Sequence, residues 1–108
     1  MNKLFVYGTL CPGQPNEHML TQFVGEFLPA SVRGHLHPEG WGQTMGYPGL
    51  ILDAAGVQVP GYIYLSDEMA ENWAILDEFE GDCYRRVKTF AMLESDETVE
   101  VYVYVLNR

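Results

Sequence analysis

The chain has 108 residues, 47% of them hydrophobic and 13% aromatic, which suits one domain built round a single modest core. Its formal net charge is −9, with six basic residues against fifteen acidic ones; that balance excludes a phosphate-tracking nucleic-acid surface and makes an anionic membrane an unsuitable partner. The first apolar run, Leu4 to Tyr7, is too short for a secretion signal or a membrane span, so a soluble cytoplasmic protein is expected.

In chain order, Leu4-Phe5-Val6-Tyr7 predicts a short central strand stopped by Gly8. Thr9 to Pro15 carries Gly13 and two prolines and reads as a loop. Asn16 to Phe23 predicts a short helix with Met19, Leu20 and Phe23 inward, and Phe27, Val32 and Leu36 mark a loosely alternating strand after Gly25. Pro38 to Gly49 is rich in Gly and Pro and reads as a loop. Strands are expected at Leu50 to Asp53 and Gly61 to Leu65, with a turn near Ala55-Gly56.

The segment Ser66 to Glu80 predicts one amphipathic helix. Ser66 suits the N-cap, Asp67 and Glu68 suit the positive end of the helix dipole, and Gly81 terminates it. Its apolar stripe runs Met69, Trp73, Leu76, and the next position on that stripe is Glu80, about 20° round from Met69. Two readings follow. Glu80 is either a last-turn residue turned out to water, as Glu78 is expected to be, or a carboxylate aimed at the core. In the second case lost hydration and the helix C-terminus both raise its pKa and suit it to proton transfer near neutral pH.

Beyond Gly81, Tyr84 to Leu93 predicts a long strand, Glu94-Ser95-Asp96-Glu97 a hairpin turn, and Thr98 to Leu106 the clearest strand of all. There Val99, Val101, Val103 and Val105 share one face, Tyr102 and Tyr104 the other. The expected class is α+β: because antiparallel hairpins dominate, a small β-barrel or highly curved sheet, residues 1–108 as a single domain, with one main helix and one short helix.

Other candidate chemistry is weaker. Cys11 and Cys83 form no CxxC pair and read as reduced bystanders, with only His18 as a conceivable base for a thiol nucleophile. His35 and His37, alternate on a strand and followed by Glu39, suggest a metal set, but Glu39 is separated from His37 by Pro38 alone, so solvent-facing residues are the better reading. Trp73 reads as core and Trp41 as a loop anchor. Arg85 and Arg86 suit edge-strand charge better than a substrate clamp.

The ordered set Phe5-Val6-Tyr7-Gly8-Thr9-Leu10, then Tyr47-Pro48-Gly49-Leu50, then Leu76-Asp77-Glu78-Phe79-Glu80-Gly81, then Tyr84 and Arg86, resembles the gamma-glutamylcyclotransferase-like family, its AIG2-like and gamma-glutamylamine cyclotransferase members in particular. The likeness runs from Leu4 to about Tyr104. It implies a mixed barrel with a cavity at one side and a small-molecule gamma-glutamyl substrate. It also implies that backbone amides at Tyr7, Gly8, Thr9 and Leu10 bind the substrate's alpha-carboxylate. Glu80, rather than Glu78 or Asp77, corresponds to the family's general acid/base. Tyr47, Pro48, Gly49 and Tyr84 fall at pocket positions, as does a last-strand tyrosine, for which Tyr102 is preferred and Tyr104, on the same face, stays open. Thr9 stands where Ser is commoner.

The implied reaction is attack of the substrate's alpha-amine on its own gamma-carbonyl, giving 5-oxoproline and a free amine, with no cofactor and no metal. The leaving amine and the oligomeric state stay open. The alternative is a non-catalytic module that binds a small metabolite or a partner on the same fold, and Glu80 argues against it, since a pocket for carboxylates gains nothing from an inward negative charge.

Overall fold

The computed structural model describes residues 2–37 and 49–106. Six strands appear in chain order: β1 Lys3–Val6, β2 Glu26–His37, β3 Gly49–Leu52, β4 Val57–Leu65, β5 Tyr84–Leu93 and β6 Thr98–Leu106. Two helices accompany them, α1 His18–Thr21 and α2 Trp73–Glu80, with a 3-10 turn at Met69–Glu71. Neighbours in the sheet run β3-β2-β4-β1-β6-β5, and β5 pairs back onto β2 through Ala30↔Leu93 and Ser31↔Met92. That last pairing closes β2, β4, β1, β6 and β5 into a five-stranded barrel, while β3 extends the wall beside the distal part of β2. β1 and β6 run parallel and the other ladders are antiparallel. Closure leaves few edges to protect, and the expected mixed, mainly antiparallel barrel is what the chain forms.

The period-2 pattern of β6 decides how the layers form. Val101, Val103 and Val105 point into the barrel and pack with Phe5, Val32, Val59, Ile63 and Ala91. Tyr104 points outward, where it joins Leu4, Val6 and Tyr64 beneath Leu20, Met69 and Leu76. The β1–β6 wall is therefore covered on both sides, by barrel interior within and by the helical segments without. Each fully buried aliphatic side chain contributes roughly 1.5–3 kcal/mol to holding these layers together.

The expected helix over residues 66–80 is broken in two. Ser66 starts a turn rather than a long helix: its hydroxyl accepts the Glu68 amide at 3.2 Å and its carbonyl accepts the Met69 amide. Asn72 then leaves helical geometry (φ −127°) and its side-chain amide donates to the Glu68 carbonyl at 2.6 Å. An asparagine that satisfies the backbone locally competes with helix propagation, so α2 begins afresh at Trp73. The helix expected over Asn16 to Phe23 is a single turn. β4 begins at Val57 rather than Gly61, carrying Pro60 inside it; Pro60 lies beyond the last β1 partner, Tyr62, where one side of β4 is unpaired and a missing amide costs little. The β5–β6 hairpin closes where expected, with Asp96 at φ 69°, a conformation aspartate tolerates.

Candidate active site

Alternation along β1 sends Leu4 and Val6 outward and Phe5 and the following Tyr7 inward. Tyr7 therefore stands at one end of the barrel. Its hydroxyl donates to the Tyr104 carbonyl at 2.7 Å and accepts the Leu50 amide at 3.2 Å, tying the end of β1 to β6 and β3. Burial, and after it the nearby Glu80 carboxylate, pushes the phenol well above its ordinary pKa, so it stays neutral. Beyond Tyr7 the chain turns: the Cys11 amide donates to Gly8 O at 3.1 Å, and Asn16 holds Thr9 twice, backbone to backbone at 2.9 Å and Nδ2 to Oγ1 at 3.0 Å. The loop is thus fixed from within. Among the described residues, none accepts the amides of Gly8, Thr9 or Leu10.

Glu80 approaches from the last turn of α2. Gly81 follows at φ 77° and donates to Asp77 O at 3.0 Å, a backbone geometry that favours glycine and turns the chain back towards Tyr84. Leu76, one turn earlier on the same stripe, is fully buried and holds α2 against the wall. Glu80 is consequently mostly buried, and its removal from water pushes its pKa up to about 7. A cleft of about 510 Å³ joins it to Tyr7, Gly8, Thr9 and Leu10, and Tyr84, Tyr104, Asp82 and Cys83 also line that cleft. Tyr84 is pushed up to about 12, by burial first and by the Glu80 charge second. Glu80 thus shares its cleft with neutral phenols, and no Lys, Arg or His lines it among the described residues. A carboxyl group in that setting can hold or release a proton near pH 7.

The other expected positions are distributed differently. Tyr104 reaches the cleft, whereas Tyr102 lies against Trp73 (ring centroids 5.0 Å apart) and under the Arg86 guanidinium (4.6 Å). Both tyrosines share the outer face of β6, but the cleft opens at the end of the strand nearer Tyr104. Tyr47 and Pro48 lie outside the described residues. Gly49 is described, and it sits in β3 rather than in the cleft: a Cβ there would fall 2.4 Å from the Leu106 side chain, so the residue permits close packing of β3 on β6. Asp77 accepts both arms of Arg86, Nε at 3.0 Å and Nη2 at 3.2 Å, and also the Tyr104 hydroxyl at 2.7 Å. Glu78 is exposed.

Asn16, Phe79 and Asp82 belong to the cleft and were not singled out by the sequence; only the position of Phe79 and Asp82 on either side of Glu80-Gly81 could have suggested them. Cys11, pushed up to about 11 by burial, is held as an unreactive thiol. His35 pairs at 2.9 Å with Asp53, whose carboxyl that hydrogen bond holds below the usual range, and Glu39 lies outside the described residues. No group of three or more potential metal ligands occurs among the described residues, and none of the described helices is long and apolar enough to cross a membrane.

The profile of the family described as "Gamma-glutamyl cyclotransferase, AIG2-like" matches residues 4–108. Among curated proteins, one from Drosophila melanogaster named "Putative gamma-glutamylcyclotransferase CG2811" is 30% identical over 110 residues, covering 97% of this chain and 69% of its own. Among solved structures, an AIG2-like protein of Mus musculus superposes with a TM-score of 0.73 at 27% identity, over 97% of this chain and 76% of the mouse chain. YkqA of Bacillus subtilis has the same fold (TM-score 0.75, 24% identity, 98% of this chain), but this chain spans only 36% of its length.

Proposed function

Because the chain belongs to the gamma-glutamyl cyclotransferase, AIG2-like family, which supports a cyclotransferase function in general, we propose that it releases 5-oxoproline and a free amine from a gamma-glutamyl compound, with Glu80 as the general acid/base. One observation carries this reading. The Glu80 carboxyl, pushed up to about 7, opens onto the same cleft as the loop amides of Gly8, Thr9 and Leu10.

The substrate's alpha-carboxylate seats on those amides, which have no acceptor of their own among the described residues. That anchorage leaves the adjacent alpha-ammonium towards Glu80 and folds the gamma-glutamyl chain back on itself. Ring closure between groups already tethered gains effective molarities of order 10⁵ M or more from alignment alone. The remaining barrier is protonic. Glu80 takes a proton from the ammonium, the freed amine attacks the gamma-carbonyl, and that proton passes to the departing nitrogen as its C–N bond breaks; the second proton that the ring nitrogen must shed passes to the freed amine, which leaves as ammonium. A carboxyl with pKa about 7 is populated in both forms at neutral pH, as one group serving both steps requires. No cofactor enters this sequence.

The test is a panel of gamma-glutamyl amines and peptides scored for 5-oxoproline, with thermal shift measured alongside. Turnover of one or more members supports the reading and identifies the leaving amine. Stabilisation by the panel without product would instead make the domain a binding module.

A further inference from the structure

Tyr104 lines the cleft and is tied to a chain of side chains on α2 and β5. Its hydroxyl donates to Asp77 Oδ1 at 2.7 Å. The same oxygen of Asp77 accepts Arg86 Nε at 3.0 Å, and Oδ2 accepts Arg86 Nη2 at 3.2 Å. The guanidinium sits in the angle between the Trp73 and Tyr102 rings, 4.6 Å from each centroid, and those rings meet edge to face at 72°. An arginine wedged against two aromatic faces loses both contacts if its fork swings away, so it holds Asp77 in one orientation.

An ionised carboxylate accepts hydrogen bonds and donates none, and a phenol has a single hydrogen to give. That hydrogen of Tyr104 is committed to Asp77. Any further group that meets the Tyr104 oxygen must therefore be a donor. We propose that Asp77 and Arg86 are positioning residues that keep Tyr104 a hydrogen-bond acceptor in the cleft, where it receives an N–H of the substrate's amino group beside Glu80.

The identity of that donor rests on the cyclotransferase reading; the fixed polarity of Tyr104 does not. In the reaction, the ammonium gives one proton to Glu80 and keeps a second N–H on Tyr104. The new C–N bond forms from the lone pair so exposed, the old C–N bond breaks, Glu80 returns its proton to the leaving nitrogen, and the ring nitrogen sheds its other proton to that amine, so that the lactam keeps the one N–H held on Tyr104. Two acceptors hold the nitrogen through the transfer, where one would leave it free to rotate.

The groups facing Glu80 are Tyr7 from the end of β1, Tyr84 from β5 and Tyr104 from β6, with Asp82 and Cys83 in the turn after α2. If Asp77 is removed, the Tyr104 hydroxyl is free to turn and donate to the Glu80 carboxylate, which stabilises the charged form and lowers its pKa. The experiment is a carbon-13 NMR titration of the Glu80 side-chain carboxyl, which needs no turnover. In Asp77→Ala the midpoint should fall by about one pH unit, and adding Tyr104→Phe should restore it. A midpoint that stays put, or a fall that survives Tyr104→Phe and so reflects the freed Arg86 charge, overturns the proposal. Tyr104→Phe alone keeps the test open should Asp77→Ala fail to fold. It should leave the Glu80 midpoint where it was while lowering kcat tenfold or more; a raised midpoint would mean that Tyr104 had been donating to Glu80 all along. If the titrations behave as stated but no gamma-glutamyl compound is turned over, the polarity of Tyr104 stands and the identity of its donor falls.

Discussion

The two sides of the β1–β6 wall are built from alternate residues of the same strands, yet they carry opposite kinds of chemistry. Inside the barrel, Val101, Val103 and Val105 meet Phe5 and Ile63 in an apolar packing whose polar visitor, the Tyr7 hydroxyl, is satisfied by two backbone groups. Outside, beneath α2, Tyr104 and Leu76 share the layer with Glu80, a mostly buried carboxyl with no cation among the described residues that line its cleft. The interior lowers the free energy of the fold. The outer layer spends some of that stability to hold a proton carrier in an unfavourable place. Substitutions on the two sides should therefore move stability and activity in different directions.

The sharpest contrast is Glu80→Gln. Without a transferable proton, 5-oxoproline release should fall by about 10²–10⁴-fold. Stability should move the other way. Glu80 binds its proton more tightly in the folded state, with pKa about 7, than the ordinary carboxyl value of 4.5. The folded protein therefore loses stability as pH rises from 4.5 through 7, by up to about 3 kcal/mol. Gln removes that penalty: urea melts should show the variant more stable than its parent at pH 8, the gap closing below about pH 4.5. A variant less stable at pH 8 would place Glu80 among the supports of the fold.

On the inner side, Ile63→Ala should cost about 2–5 kcal/mol in a urea melt, with kcat of the folded fraction within a few-fold of the parent. Loss of kcat at full folding would mean that the two layers are not separable. Tyr7→Phe tests the boundary between them. It leaves the Tyr104 carbonyl and the Leu50 amide without their shared partner, and should cost about 1–3 kcal/mol. The smallest effect is expected of Glu78→Gln, two residues from Glu80 on the exposed side of α2: activity within a few-fold, measured in the same assay. A collapse there would show that the wrong carboxylate has been assigned.

How legible each layer was in the sequence follows from the range of the interactions that make it. The β5–β6 hairpin was readable throughout, because period-2 alternation and a polar turn are local signals. The place of Glu80 on the buried stripe was readable too, since Leu76 and Glu80 are four apart on one uninterrupted helix, but the stripe alone left open whether its carboxylate turned to water or to the core. The break at Asn72 was not. The residue's side chain competes for a carbonyl four positions earlier, and an apolar stripe does not register such competition. Nor could β6 alone decide between Tyr102 and Tyr104, which share a face; the choice depends on which end of the strand α2 and the Gly8 loop converge upon. Asp77 and Arg86 meet across two elements, and Asn16 meets Thr9 across a loop, contacts that no periodicity in the sequence encodes.

The most direct test of the account is the pH dependence of kcat/KM for 5-oxoproline release from a gamma-glutamyl amine, measured on the wild type and on Glu80→Gln. The wild-type rate should climb along an acid limb with its midpoint near pH 7, as Glu80 gives up its proton, and that limb should vanish with the residual rate in Glu80→Gln. A midpoint near 4.5, or an unchanged limb in the glutamine variant, would contradict the claim that this buried carboxyl carries the proton.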